Sequence, residues 1–347
     1  MMLRRIVSNQ QGMALVLTLL AVSFLVALTV QLALRVDWQL QAAANLSANV
    51  QAEAMLLGGL NLARAALLTD QKANDYDGPH DGWAVLDPEA TEELFAPGTV
   101  SIQVEDLSGR LQINALVPEQ QASTGGGRRP GPAGQQQADP AAALRDAWLR
   151  LLTSGRFAVE DEEQARALLD ALLDWLDKDD DERPAGAEDS YYGSLDPPYK
   201  CGNGPLLRVE ELLLVRGWSK TLLYGDQEHP GLIGFITTAP GDGTVNINTA
   251  PEPVIQALAP GLSEEMVTDL VDFRKEEENA ELLSSPNWYK QVVPGDIDLN
   301  RDKLLTVKSS AFLVTVTVKS DTLQKTGKGV VIREEQGGQV LRSWQVQ

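Results

Sequence analysis

The chain is poor in the residues that build most catalytic and metal centres. Its 347 residues include one cysteine, Cys201, and two histidines, His80 and His229. A single cysteine excludes an intrachain disulfide. It says little about compartment, because exported proteins need not carry disulfides. Both histidines sit in Gly/Pro-rich turn sequence, which argues against a histidine-based catalytic or zinc site. There is no Gly-x-Ser-x-Gly and no phosphate-binding loop. Carboxylate pairs such as Glu210-Glu211 lie among apolar neighbours on a helical pattern and read as its solvated face. A carboxylate-only hydrolase needs just two acids and is the enzymatic alternative that composition leaves. Positive charge is also scarce, with 29 Lys and Arg against 49 Asp and Glu, a net charge of −20. That balance disfavours nucleic acid and anionic lipid, and suits an exported soluble domain or a binder of cations.

What the chain does have is one long apolar run near its start. Arg4 and Arg5, then Ser8-Asn9-Gln10-Gln11-Gly12, lead into an uncharged stretch from Met13 to Leu34, interrupted only by Thr18, Ser23, Thr29 and Gln31. As a helix rising about 1.5 Å per residue, this run crosses a hydrocarbon core of roughly 30 Å. A secretory signal has a shorter apolar region with the small residue after it. Here Gly12 comes before it, so cleavage there would remove a basic leader and keep the helix, with Met13 first. Arg4 and Arg5 predict a cytoplasmic N-terminus with the bulk of the chain across the membrane, and Arg35 and Asp37 are a weak counter-signal. An ordinary uncleaved signal anchor is the alternative.

Past Arg35 the pattern turns amphipathic. Leu40, Ala44, Leu46, Val50, Ala54, Leu57, Leu60, Leu62 and Leu67 recur at helical spacing, which predicts one helix over 13–68. Gly58-Gly59 is its expected weak point, each glycine costing about 1 kcal/mol relative to alanine. Asp70 to Pro88 is rich in turn formers. Thr99–Val104 alternates as a strand, Ser108-Gly109 turns, and Leu111–Asn114 is expected to pair back, giving a first β segment over 69–120. Residues 121–139 are a Gly/Pro/Gln-rich linker that can bury little. Helical pattern fills 140–290, clearest at Ala141–Thr153, Val159–Leu176, Arg208–Val215, Pro251–Leu258 and Ser263–Lys275. Strand pattern returns in 291–347, at Phe312–Lys319, Gly329–Arg333 and Gln339–Val346. A helical block between the strands of one sheet reads as an insertion. The fold class is α+β, a long N-terminal helix on an antiparallel sheet with a large inserted helical domain.

Two features of that block bear on function. From Asp174-Trp175-Leu176-Asp177-Lys178-Asp179-Asp180-Asp181 to Asp196-Pro197-Pro198-Tyr199, carboxylates crowd a helix C-terminus that already carries partial negative charge. A cation should compensate, and calcium, with six to eight oxygen ligands, suits the chemistry. The spacing is not that of an EF-hand, and a solvated acidic loop is the alternative. The second feature runs from Gly243-Thr244-Val245-Asn246-Ile247-Asn248-Thr249 through Pro260-Gly261-Leu262-Ser263. It resembles a helix-hairpin-helix or SAM-like unit, with Asn246, Asn248 and Thr249 expected to cap or turn the chain. Its flanks, Glu264-Glu265 and Glu276-Glu277-Glu278, would repel phosphate, so it reads as structural rather than DNA-binding.

Taken together, Gly12-Met13, the apolar run and the element order resemble the type IV prepilins and type II secretion pseudopilins. Leu17 stands where most of them carry a glutamate. That absence, the inserted α-domain and the segment Asp174-Trp175…Asp179-Asp180…Arg183-Pro184…Ala187-Glu188-Asp189…Tyr191-Tyr192…Leu195–Tyr199 are similar to the general secretion pathway protein K family. The resemblance implies cleavage after Gly12 by a prepilin peptidase, with methylation of Met13. It also implies a non-enzymatic role at the tip of a periplasmic pseudopilus anchored in the bacterial inner membrane. The implied partners are the I- and J-type minor pseudopilins and the inner-membrane secretion platform, with no nucleic acid. A calcium site is implied in the α-domain, here assigned to Asp177, Asp179, Asp181, Glu188, Asp189 and Asp196. An anchored calcium-binding protein outside any fibre is the alternative, and a membrane-anchored DNA-uptake factor a third.

Overall fold

The structure is a computed structural model in which residues 10–86, 95, 98–117, 140–320, 323–334 and 337–347 are described. The leader before Gln10 and the linker 121–139 lie outside these residues.

Helix α1 spans Gln10–Ala73, 64 residues and roughly 95 Å at the standard rise. It is one helix with two environments. Every side chain from Gly12 to Ser47 is exposed, including the whole apolar run. Further along, Ala52, Leu56, Leu60, Ala63 and Leu67 are buried. Their spacing of three or four residues places them on one face. That face packs on Val100, Phe312, Val314, Val316 and Val318 of the sheet, and each buried leucine contributes about 1.5–3 kcal/mol. Gly58-Gly59 does not interrupt the helix. A Cβ on Gly59 would lie 2.6 Å from Val316 Cγ1. The glycine therefore marks a point where helix and sheet approach too closely for a side chain, and the contact offsets its low helix propensity.

The sheet has four antiparallel strands in the order β1-β6-β7-β8, formed by Thr99–Asp106, Ala311–Lys319, Gln324–Arg333 and Gln339–Val346. Alternation puts Phe312, Val314, Val316 and Val318 of β6 against α1. β1 pairs directly with β6, Val104 facing Val314 and Ile102 facing Val316. The chain between them, about 200 residues, thus leaves and re-enters the sheet at adjacent strands.

Strand β2 (Leu111–Gln112) does not pair back on β1 as the sequence suggests. It lies parallel to β3 (Ile236–Thr237) inside the inserted unit. Its side chains explain the difference. Leu111, Ile113 and Leu116 are fully buried in the helical core, whereas the turn at Ser108-Gly109 merely changes the chain's direction. β4 (Val245–Asn246) and β5 (Leu305–Thr306) form a second short parallel pair. The core of the unit extends from Leu111 to Val307, beyond the 140–290 span suggested by helical pattern. It is built on helices α2 (Pro140–Leu152), α3 (Glu162–Leu176), α4 (Asp189–Tyr192), α5 (Lys220–Tyr224), α6 (Glu252–Leu258) and α7 (Glu264–Phe273). Trp148 and Trp218 meet edge to face at 6.4 Å within it. The stretch expected as a helix over Arg208–Val215 is a 3-10 turn, Val209–Leu214.

Candidate metal centre

The acidic loop is positioned by helix α3. Asp161 caps its N-terminus by accepting the Gln164 amide, and Leu168, Leu172 and Trp175 anchor its inner face. Asp174 is fully buried on that face, and the helix ends at Asp177, whose N–H donates to Leu173 O. The loop returns through Glu188 into α4. There Tyr192 packs edge to face on Trp175 at 5.0 Å and beside Tyr199 at 5.3 Å. The tyrosines thus hold the loop against the core. Gly186 is obligatory here, because any Cβ would collide with Asp174 Oδ2.

One guanidinium nitrogen serves two acids. Arg183 Nη1 donates to Asp174 Oδ1 at 2.5 Å and to Asp177 Oδ2 at 2.6 Å, while the Arg183 backbone N–H donates to Asp174 Oδ2 at 3.2 Å. Beside them Glu188 is 3% exposed, and neither carboxylate oxygen has a hydrogen-bond partner. Asp177 Oδ1 is likewise buried and unpartnered. Burial, opposed by the neighbouring Cys201 thiol and aided by the negative charges of Asp174, Asp177 and Asp180, pushes Glu188 up to about 7. Burial also raises Asp177, against the lowering effect of Arg183.

The sequence-derived ligands divide into two groups. Asp177 and Glu188 come within electrostatic reach of each other and of Asp174 and Asp180, two acids outside the expected set. Asp179, Asp181, Asp189 and Asp196 are exposed. Asp179 accepts the Asp181 amide at 3.1 Å, and Asp189 accepts the Cys201 amide at 2.7 Å. At the other end of the molecule Gly12, Met13 and Leu17 all lie on the exposed part of α1.

A second acidic cluster was not evident from sequence. Among the described residues only Asp70, Asp77 and Asp81 bring three carboxylate oxygens within 4.8 Å of one another. They sit at the end of α1 and in the turn after it, and Arg333 of β7 lies among them. Arg333 donates to Asp77 at 2.5 Å and to Asp70 and Leu67 O at 2.9 Å, with its guanidinium 4.6 Å from the centre of the Phe312 ring. Asp77 also accepts the Ser309 amide at 2.8 Å, and its own N–H donates to Val307 O at 2.7 Å. Nearby, Asp106 accepts from Asn246, Thr249 and Ser309. Asn246 and Asn248 therefore do more than turn the chain: each donates its side-chain amide to Asp77 O, tying the inserted unit to the end of the spine. A readable signal was the alternation of β7. It places Arg333 on the same buried face as Val331, and a buried cation there requires acids.

The hairpin unit forms as expected, with α6 and α7 joined through Pro260-Gly261 and Ser263 capping α7 by accepting the Met266 amide. Glu264 and Glu265 are exposed at its start. The basic residue that follows, Arg274, is buried and donates to Ile247 O at 2.8 Å.

A long helix, exposed and apolar in its first half and seated on an antiparallel sheet in its second, with a helical unit inserted between adjacent strands, defines a pilin-like subunit of enlarged type. The protein family described as Type II secretion system (T2SS), protein K matches residues 109–224 and 245–293. The chain is 30% identical to the type II secretion system protein K of Pseudomonas aeruginosa over 267 residues, 75% of this chain and 72% of that protein. It is 32% identical to the protein K of Aeromonas hydrophila over 249 residues, 70% and 67% of the two chains. The fold is similar to a chain of the GspK-GspI-GspJ complex from enterotoxigenic Escherichia coli. The TM-score is 0.58 at 16% identity, covering 88% of this chain and 99% of that one. The chain belongs to the type II secretion system protein K family, and is a minor pseudopilin.

Proposed function

We propose that the protein caps the tip of a periplasmic type II secretion pseudopilus as a non-enzymatic subunit, helping to start its assembly and so the export of folded proteins. In this reading the I- and J-type minor pseudopilins are its neighbours, as in the solved complex its fold resembles. The observation that carries the reading is the division of α1. Its first half is apolar on all sides and exposed throughout, so it needs a bilayer or the helices of other subunits, and only its second half is satisfied within the chain. A prepilin peptidase would cut after Gly12, with the bulk of the chain crossing the inner membrane. Leu17 has no carboxylate to pair with a neighbour's N-terminal amine, which suits a subunit with nothing stacked above it. The test is extraction of the full chain from membranes that also hold the I- and J-type proteins. Co-purification of all three, with a chain starting at Met13 by intact mass, is the expected result. An uncut chain that retains neither protein overturns the reading in favour of a solitary anchored protein.

The same reading includes calcium on the acidic loop. The fit rests on the orphaned oxygens. Buried oxygens of Glu188 and Asp177 meet no well-aligned donor, only the weak Cys201 thiol standing beside Glu188, and a hard dication ligated by oxygen is the partner such atoms lack. Asp177 and Glu188 are the fixed members, with Asp174 and Asp180 beside them. Asp179, Asp181, Asp189 and Asp196 are the exposed acids the loop could fold inward. When bound, calcium would supply the positive charge that closes the loop onto the α-domain. Calorimetric titration of the full chain in detergent should show calcium binding. No heat at millimolar calcium would refute this part.

A further inference from the structure

We propose that Arg183 is the resident cation of the acidic loop, and that calcium binds by displacing its guanidinium. This inference rests on the calcium reading above. Three observations carry it. First, Arg183 holds Asp174 and Asp177 through a single nitrogen, Nη1, as a point charge would. The two-pronged grip that makes arginine a strong carboxylate partner is not used. Second, the carboxylates of the loop do not gather three oxygens within 4.8 Å of one another. The guanidinium sits between Asp174 and Asp177, and a small ion can draw those acids toward Glu188 only once it has left. Third, a way out is open, and the incoming ion takes over both acids as the guanidinium leaves. The Arg183 side chain is 30% exposed, against 0% for Asp174 and 10% for Asp177, so its head can rotate into water. The backbone N–H bond from Arg183 to Asp174 Oδ2 keeps the loop anchored as it does so.

The oxygens left behind suit the ion. Asp174 Oδ1, both oxygens of Asp177 and both of Glu188 make five. Water or a neighbouring loop acid completes the six to eight that calcium takes. The exchange also keeps the loop folded before metal arrives, because the buried Asp174 is never without a counter-charge.

The test is calorimetric titration with calcium, together with thermal melting in EDTA and in calcium, on the full chain in detergent. The variants are Arg183→Gln and Arg183→Lys. Removing the competing charge should tighten calcium binding roughly tenfold or more in Arg183→Gln. The same variant should melt lower in EDTA and regain the loss in calcium. Arg183→Lys keeps a cation and should stay close to wild type in EDTA. Wild-type binding with weaker or unchanged affinity in Arg183→Gln overturns the exchange and makes Arg183 a permanent part of the site. If Arg183→Gln folds only in calcium, the exchange is upheld. If it folds in neither condition, Arg183→Lys decides, and an affinity below wild type overturns the proposal. No binding by wild type sinks the calcium reading itself, whatever the variants do.

Discussion

Two arginines in this chain each sit among buried aspartates, and they do opposite things. Arg333 is 6% exposed and uses both terminal nitrogens, one on Asp77 and one on Asp70, while Asp81 is held by the Asn74 side chain and the Gly78 amide. No carboxylate oxygen of that trio is among the buried atoms lacking a partner. Arg183 is 30% exposed, uses one nitrogen, and leaves Asp177 Oδ1 and both oxygens of Glu188 unclaimed. By proximity the first cluster looks like the metal site, because its acids lie closer together. By satisfaction the second does. An acid cluster with no orphaned carboxylate oxygen is a clasp, and one with orphaned carboxylate oxygens awaits a ligand. The clasp joins α1, β7 and the inserted unit at one point, so its role is to fix the α-domain on the pilin-like body.

The comparison breaks most visibly at Arg333. Arg333→Met leaves Asp70 and Asp77 buried and unpaired, and should lower stability by about 3–5 kcal/mol in urea unfolding of the detergent-solubilised chain. Calcium should not restore it. Recovery in calcium would make the Asp70–Asp77–Asp81 cluster a cation site and erase the distinction. Glu188→Gln tests the other side. In EDTA this variant should be as stable as wild type or more so, since a costly buried charge is gone. In calcium at one hundred times the wild-type Kd, binding is worth about 2.7 kcal/mol, and most of that should vanish. An undiminished calcium response would remove Glu188 from the site.

Acid pH should move both clusters in the same direction, and calcium should tell them apart. Burial holds Asp70 at about 6, above its ordinary 3.8, and Glu188 at about 7, above its ordinary 4.5. Each carboxyl therefore takes up its proton in the folded chain at a pH where the unfolded chain is still ionised. Their contribution to stability rises as pH falls through about 7 and then 6, is complete only near 4, and is lost again as pH rises. Melting in EDTA should move upward between pH 7.5 and 5. Saturating calcium should remove the Glu188 share, and Asp70→Asn the Asp70 share. A profile that calcium leaves unchanged would separate Glu188 from the metal.

The acidic loop is legible in the sequence because a charge run is local, and the spine, the last three strands and the insertion are legible because period and element order can be read along the chain. What distance along the chain conceals is not. Asp77 and Arg333 are 256 positions apart, and the turn formers around Asp77 hid a buried ionic centre. β2 was misplaced because a turn followed by apolar residues looks the same whether the strand pairs with its predecessor or with a strand 125 residues on. Within the acidic loop the composition was legible but the burial was not. Glu188 and Asp196 are equivalent as letters, yet Glu188 is 3% exposed and Asp196 lies in water.

That last difference supplies the smallest and sharpest test. Asp196 follows the tyrosine pair that seals the loop, on the outside of the chain, whereas Glu188 precedes it on the inside. Surface substitutions of this kind change stability by less than about 0.5 kcal/mol. Asp196→Asn should therefore match wild type in EDTA, and should weaken calcium far less than Glu188→Gln in the same titration. A carboxylate already hydrated must give up water to reach the ion, while a buried one without a well-aligned donor gives up little. An equal loss of affinity in both variants would mean that Asp196 folds inward when the ion binds, so that calcium remodels the loop from Asp177 to Tyr199 rather than filling a place prepared by Asp177 and Glu188.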